Sequence, residues 1–191
     1  MYPRGSSGAS VTDIAYDVLQ HNECALKVSQ CITCEKVCFT SSVDNHCVDI
    51  SSPRRPQVSR NVQPTVQEAW NTFTSLSRVH NALCSECNGR LETKTIWQSV
   101  RPLISIPLHG ELYSEISETI DVTNKYQAKQ VLRLQGIIYH GSHHFTVRVI
   151  DKWGNVWYND GMAMGTQFVK ERTGINLTQA RSRNACLLIY H

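Results

Sequence analysis

No stretch of this sequence approaches the roughly 18 consecutive apolar residues that a membrane span needs. The opening MYPRGSSGAS has one arginine but no apolar segment behind it that could serve as a secretion signal. Charge of one sign is also scarce: 19 Lys and Arg stand against 16 Asp and Glu, a formal +3, and the basic residues are scattered apart from Arg54-Arg55. A polyanion-binding face is read from clustered lysines and arginines, so no nucleic-acid partner is expected. Internal repeats and low-complexity tracts are missing too. Together these absences predict a soluble protein without membrane association, held inside the cell in the cytoplasm and/or the nucleus.

What is present suffices for a core. The chain has 191 residues and 21.6 kDa, long enough to bury about 70% of its unfolded surface. It is 41% apolar, with four Trp, seven Tyr and four Phe, which excludes wholesale disorder. Eight cysteines without a secretion signal point to metal ligands or plain thiols rather than a disulfide framework. For the same reason the glycosylation sequon Asn176-Leu177-Thr178 carries no weight.

Residues 1–10 are rich in Gly and Ser and are expected to be disordered. Residues 11–19 place Val11, Ile14, Ala15, Val18 and Leu19 on one helical face, with Ser10 or Thr12 as cap. Residues 24–33 read as a strand entering Cys31-Ile32-Thr33-Cys34, with residues 37–40 as its hairpin partner. SSPRRPQVSRNVQP, residues 51–64, is a loop by composition. TVQEAWNTFTSL then has Val66, Ala69, Trp70 and Phe73 at helical spacing, with Thr65 and Glu68 in a capping-box pattern. A second tight turn, Cys84-Ser85-Glu86-Cys87-Asn88-Gly89, precedes strands over 91–100 and 103–108. From Val131 the pattern is an antiparallel meander: VLRLQGIIYH, HFTVRVID, NVWYND and finally CLLIYH, with Gly154 supplying a positive φ in the turn over 151–155. The fold class is α+β with a dominant antiparallel sheet.

Cys31-x2-Cys34 and Cys84-x2-Cys87 are 49 residues apart, from 35 through 83. That is wide for a compact finger but natural for two hairpin knuckles brought together by folding, each turning two thiolates toward one tetrahedral ion. Structural Zn2+ held by Cys31, Cys34, Cys84 and Cys87 is the leading reading, with Gly89 making room where backbone amides crowd the sulfurs. Unmetallated thiols and a redox Cys-x-x-Cys are the alternatives, although a redox pair normally opens a helix. Cys38, Cys47 and Cys186 lie beside apolar residues at strand positions and read as packing; His46 is a rival ligand only if one of the four is not.

Read together, these pieces resemble the ubiquitin-specific protease family of cysteine deubiquitinases. CALKVSQCITCEKV resembles the strand and first zinc knuckle of the family's fingers, and HNALCSECNGRLETKTIWQSVRPLISIPLH the second knuckle and the strand into the palm. LRLQGIIYHGSHHFTVRVID is similar to the histidine box, NVWYNDG to the strand bearing the third triad member, and NACLLIYH to the closing strand. The resemblance implies a papain-like palm with zinc-ribbon fingers, about 24–100 for the fingers and about 101–191 for the palm, within one partial domain over 11–191. It implies ubiquitin or a ubiquitin-like protein as partner. It assigns His144 as general base and either Asn159 or Asp160 as the residue that orients it.

Three departures accompany the resemblance. His143 stands where the family has glycine, which narrows the channel expected to pass the substrate's Gly-Gly tail. Cys186 replaces a tyrosine of the closing motif. No segment ahead of Cys31 resembles the Asn-rich box bearing the nucleophilic cysteine, and Cys24 falls in a strand rather than at a helix N-terminus that would lower its pKa. The thumb is therefore missing from this sequence. Three functions remain open: part of a thiol-dependent isopeptide hydrolase completed by an upstream thumb, a catalytically inactive ubiquitin-binding or interaction module, and, remotely, a zinc-ribbon nucleic-acid binder.

Overall fold

A computed structural model describes residues 10–19, 25–43, 48, 50, 64–75, 77–98, 103–108, 115–124, 126, 128–172 and 174–191. The start at 1–9, the expected loop over 51–63 with Arg54-Arg55, and Cys24, His46 and Cys47 lie outside these residues. Among those described, no helix is long and apolar enough to cross a membrane.

Two helices form where the apolar spacing and caps predict them. α1 (Val11–Leu19) starts at Ser10, whose carbonyl accepts the Ile14 N–H at 3.1 Å and whose Oγ accepts from Asp13 N at 3.3 Å. α2 (Val66–Thr74) carries a complete capping box. Glu68 N donates to Thr65 Oγ1 at 3.1 Å and Thr65 N to Glu68 Oε2 at 2.8 Å, satisfying two amides that the helix itself leaves unpaired.

The strands form two antiparallel sheets. β1 (Ala25–Cys31), β2 (Val37–Val43), β3 (Ser77–Leu83) and β4 (Arg90–Trp97) lie in the order β2-β1-β4-β3. β1 and β4 pair from Ala25↔Trp97 to Cys31↔Leu91, so the turn leaving β1 and the turn entering β4 meet at one end. The larger, eight-stranded sheet runs β10-β9-β8-β7-β12-β11 from β7 (Lys129–Gly141), β8 (His144–Ile150), β9 (Val156–Asn159), β10 (Val169–Lys170), β11 (Gln179–Ala180) and β12 (Arg183–Tyr190). β5 (Ile104–Pro107) adds to β12, and β6 (Thr119–Thr123) to the first half of β7. β3 is the strand that a hairpin knuckle at Cys84 requires ahead of it; β6 was not expected from the sequence, since TIDVT has the right alternation but follows a polar stretch that obscures it.

One continuous core joins the sheets. Trp97 at the end of β4 is 1% exposed and stacks on Trp70 of α2, with ring centroids 5.6 Å apart. Trp70 Nε1 donates to the Asp121 carbonyl on β6 at 2.6 Å. Ala25 belongs to this same cluster, whereas Cys31, Cys84 and Leu91 form a second one at the far end of the small sheet.

Two turns place the chemistry. Between β7 and β8, Gly141 pairs with His144, leaving Ser142 and His143 as a two-residue turn with φ of 53° and 58°. Both are in the left-handed region that such a hairpin demands and that Asn-Gly fills best. Between β8 and β9, the Asp151 carboxylate accepts from Trp153 N, Asn155 N, Asn155 Nδ2 and Trp157 Nε1, while Gly154 takes φ of 82° as expected.

Replacing His143 with glycine removes a left-handed side chain and is expected to raise stability by about 1 kcal/mol. The corresponding rise in the thermal midpoint is about 2–4 °C for a chain this size; an unchanged or lower midpoint defeats the strain argument. At Asp151, burial pushes the carboxyl up, but the hydrogen bonds from Asn155, Trp157 and Trp153 outweigh it and hold the pKa at about 2. A depressed folded-state pKa contributes stability above the unfolded value of about 3.9 that is lost as pH falls toward 2. Thermal melts of Asp151→Asn between pH 5 and pH 2 should therefore show a shallower acid limb than the parent chain.

Candidate functional site

The two Cys-x-x-Cys turns have the same backbone wiring. In the first, Glu35 N donates to the Cys31 carbonyl at 3.0 Å and Cys31 N to the Lys36 carbonyl at 2.9 Å; in the second, Asn88 N donates to Cys84 O and Cys84 N to Gly89 O, both at 2.9 Å. Glu35 and Asn88 take left-handed φ values of 60° and 53° at equivalent places. The β1–β4 pairing sets the turns side by side, and Lys36 of one forms an ion pair with Glu86 of the other.

This arrangement brings all four expected sulfurs together. The Sγ atoms of Cys31, Cys34, Cys84 and Cys87 lie within 4.8 Å of one another, with Cys31–Cys87 at 3.5 Å and Cys34–Cys84 at 3.7 Å. A tetrahedron of sulfurs about 2.3 Å from a central ion has edges of about 3.8 Å. The surroundings fit as well. A Cβ on Gly89 would stand 2.8 Å from Cys31 Sγ and 3.0 Å from Cys87 Sγ, so the turn closes onto the sulfurs only without a side chain there. Amides of Glu86 and Cys87 aimed at Cys84 lower its thiol to about 6. Thr33 N points at Cys31 Sγ at 3.4 Å. The four cysteines thus form a cluster that can hold a metal ion. Cys38 is half-buried and packs on this cluster, as a packing cysteine should.

The histidine segment makes a second constellation. His144 opens β8, and its Nε2 lies 2.6 Å from Asp160 Oδ1, with side chains 17% and 12% exposed. Asp160 ends the β9 segment and caps the one-turn helix α3 (Gly161–Met164), Oδ1 also accepting from Met162 N and Ala163 N at 3.2 Å each. The hydrogen bond from His144 is the main cause holding the Asp160 carboxyl below its usual range. Among the described residues no hydrogen bond is made to His144 Nδ1.

Asn159 ends β9 and Asp160 follows it in extended backbone as the cap of α3, so their side chains leave opposite faces. Asp160 meets His144. Asn159 Nδ2 instead donates to the Gly165 and Gln167 carbonyls at 2.9 and 2.7 Å, bracing the segment after α3. Cys186 is half-buried, donates to the Ile138 carbonyl at 3.3 Å, and is pushed up to about 11 by burial.

One feature near this site was not read from the sequence. Arg148, two residues along the His144 face of β8, has a side chain only 6% exposed. It bonds Glu171 Oε2 at 2.6 Å, Tyr139 OH at 3.0 Å, and the Asn176 and Gln179 carbonyls at 2.7 and 2.9 Å. A charged residue at an inward position of HFTVRVID was the available signal.

No protein-family model and no curated protein sequence matches the chain. Among solved structures it is similar to the SAGA DUB module Ubp8/Sgf11/Sus1/Sgf73 bound to monoubiquitin, with TM-score 0.56 and 14% identity over 90% of this chain and 40% of that one. It is also similar to that module bound to ubiquitin aldehyde (TM-score 0.52, 13% identity, 90% and 41% covered). A yeast form carrying an Sgf73 mutant gives TM-score 0.53 and 15% identity, again with 90% and 41% covered. The chain spans about two fifths of the length of the solved chains it matches. At these identities the likeness shows the fold, which is ubiquitin-specific-protease-like: mostly antiparallel sheet, few helices, and a four-cysteine cluster.

Gly89→Ala should weaken metal uptake at least as strongly as loss of one ligand. The expected metal content of the purified variant is under about a third of the parent's, against a site with a tetrahedral set of four thiolates. Equal metal content in both proteins would show that the sulfurs do not need the space.

Proposed function

We propose that this chain is the fingers-and-palm part of a ubiquitin-specific protease domain, with residues of about 24–100 as zinc-ribbon fingers and about 101–191 as palm. It takes part in isopeptide hydrolysis when a thumb bearing the nucleophilic cysteine completes it. The observation that carries this reading is the His144 Nε2–Asp160 Oδ1 contact at 2.6 Å, which holds one ring nitrogen and leaves Nδ1 for a thiol.

In this scheme His144 takes the thiol proton through Nδ1 as sulfur attacks the isopeptide carbonyl. The same nitrogen then delivers that proton to the departing lysine amine. Asp160 orients the ring and stabilises its charged form. Asn159, on the other face, braces the backbone that carries Asp160. The four cysteines hold Zn2+, whose role is to tie the two knuckles together; thiolate ligands and tetrahedral spacing favour zinc among abundant cations. Reduced thiols and such a site suit the cytoplasm or nucleus. Support also comes from solved neighbours described as bound to monoubiquitin and to ubiquitin aldehyde.

One observation favours a second reading, an inactive ubiquitin-binding module. Of the six cysteines among the described residues, four form the cluster, Cys38 packs on it, and Cys186 is half-buried with a raised pKa. The two whose pKa is lowered, Cys31 and Cys84, belong to the four-sulfur cluster, and none of the six is hydrogen-bonded to His144.

Both readings require ubiquitin binding, measurable by calorimetry on the chain; no binding at about 1 mM, weaker than about −4 kcal/mol, rejects both. Hydrolysis separates them. When a cysteine-bearing thumb is supplied in trans, the hydrolase reading expects turnover of a fluorogenic ubiquitin conjugate that falls at least about 100-fold in His144→Gln, the usual scale for loss of a general base. Binding without such turnover selects the inactive module.

A further inference from the structure

Arg183 opens β12 and approaches the Asp160 carboxylate at the oxygen that His144 does not use. A Cβ on Gly141 would stand 3.1 Å from Arg183 Cγ and 3.3 Å from its Cα. The arginine therefore lies across a residue with no side chain, and Gly141 is itself the strand partner of His144. The Arg183 side chain is 20% exposed, its Nη2 is 3.8 Å from Asp160 Oδ2, and its Nε is buried without a partner. The carboxylate is thus divided: Oδ1 receives His144 Nε2, Met162 N and Ala163 N, while Oδ2 faces a guanidinium.

We propose that Arg183 is a positioning residue that counterweights the Asp160 carboxylate and so keeps the His144 ring free to accept a proton. This deepens the reading of His144 as a base and rests on it. A lone carboxylate against an imidazole favours the imidazolium, which has no vacant nitrogen for a thiol proton. A cation on the second oxygen weakens that pull and also repels a proton on the ring. The other basic residues of the neighbouring strands and turns are engaged elsewhere or exposed. Arg148 on β8 is bound by Glu171 from the segment after β10. Arg181 in the turn before β12 lies over the Tyr158 ring at 4.2 Å. His143 is exposed in the β7–β8 turn.

The test is an NMR titration of the His144 ring carbon and proton signals in the full chain. Arg183→Gln is expected to raise the His144 titration midpoint by about half a pH unit, roughly a threefold gain in proton affinity. Arg183→Lys, which keeps the charge, is expected to restore most of that difference. Gly141→Ala gives an independent route: it displaces Arg183 without removing it and should move the midpoint in the same direction. A midpoint that is unmoved or lower in Arg183→Gln, or in Gly141→Ala should Arg183→Gln not fold, overturns the proposal; a purely structural arginine would change the melting temperature alone. Because the readout needs neither ubiquitin nor a thumb, failure to bind ubiquitin would defeat the functional reading while leaving this titration to stand or fall by itself.

Discussion

Strand parity on β7 and its neighbours governs this molecule. β7 is 13 residues long, pairs with β6 along its first half, and carries β8 and β12 on its two flanks along the second. Its alternation decides which residues reach the core and which reach the site. Tyr139 faces the interior and donates to the Leu177 carbonyl at 2.8 Å. Gly141, two residues on, shares that face and leaves the gap beside which Arg183 and His144 stand. The same rule, applied at the end of β9, separates Asp160 from Asn159.

The small sheet obeys a different constraint. Among the described residues its far end has few buried apolar ones, Cys31, Cys84 and Leu91 with Cys38 and Ala82 against them. Such a cluster is too slight to order two hairpins. The four sulfurs and the backbone amides directed at them take the place of a core, which is why Gly89 and the left-handed Glu35 and Asn88 are accepted. At the other end Trp97 sits in the main core, so the sheet is anchored by packing at its base and ends in the four-cysteine cluster at its tip.

Most of this was legible from the residues. The capping box, the two knuckles, the meander and the Gly154 turn each rest on local signals: a cap, a spacing, an alternation, a positive φ. The selection between Asn159 and Asp160 was not, because parity can be read only once the last residue of β9 is placed, and strand ends are where patterns are weakest. Arg148 and Arg183 escaped for a related reason. Each looks like an ordinary charged residue in a strand, and its significance comes from partners 23 residues away in Glu171 and Asp160. β6 was hidden because its edge pairing requires β7, which lies beyond it in the chain.

The two-residue turn between β7 and β8 also bears on how sequences of this kind can diverge. An insertion there that was taken up as a one-residue slip of β8 would carry His144 to the other face of the sheet, and with it every side chain of β8. A change of length in this turn keeps His144 in place only where the loop itself absorbs it and the Gly141–His144 pairing is retained. The stretch between the two knuckles is under no such rule, since antiparallel pairing of β1 with β4 restores their meeting whatever the length between. Related chains should accordingly vary widely in spacing between Cys34 and Cys84 while keeping the pairing of Gly141 with His144.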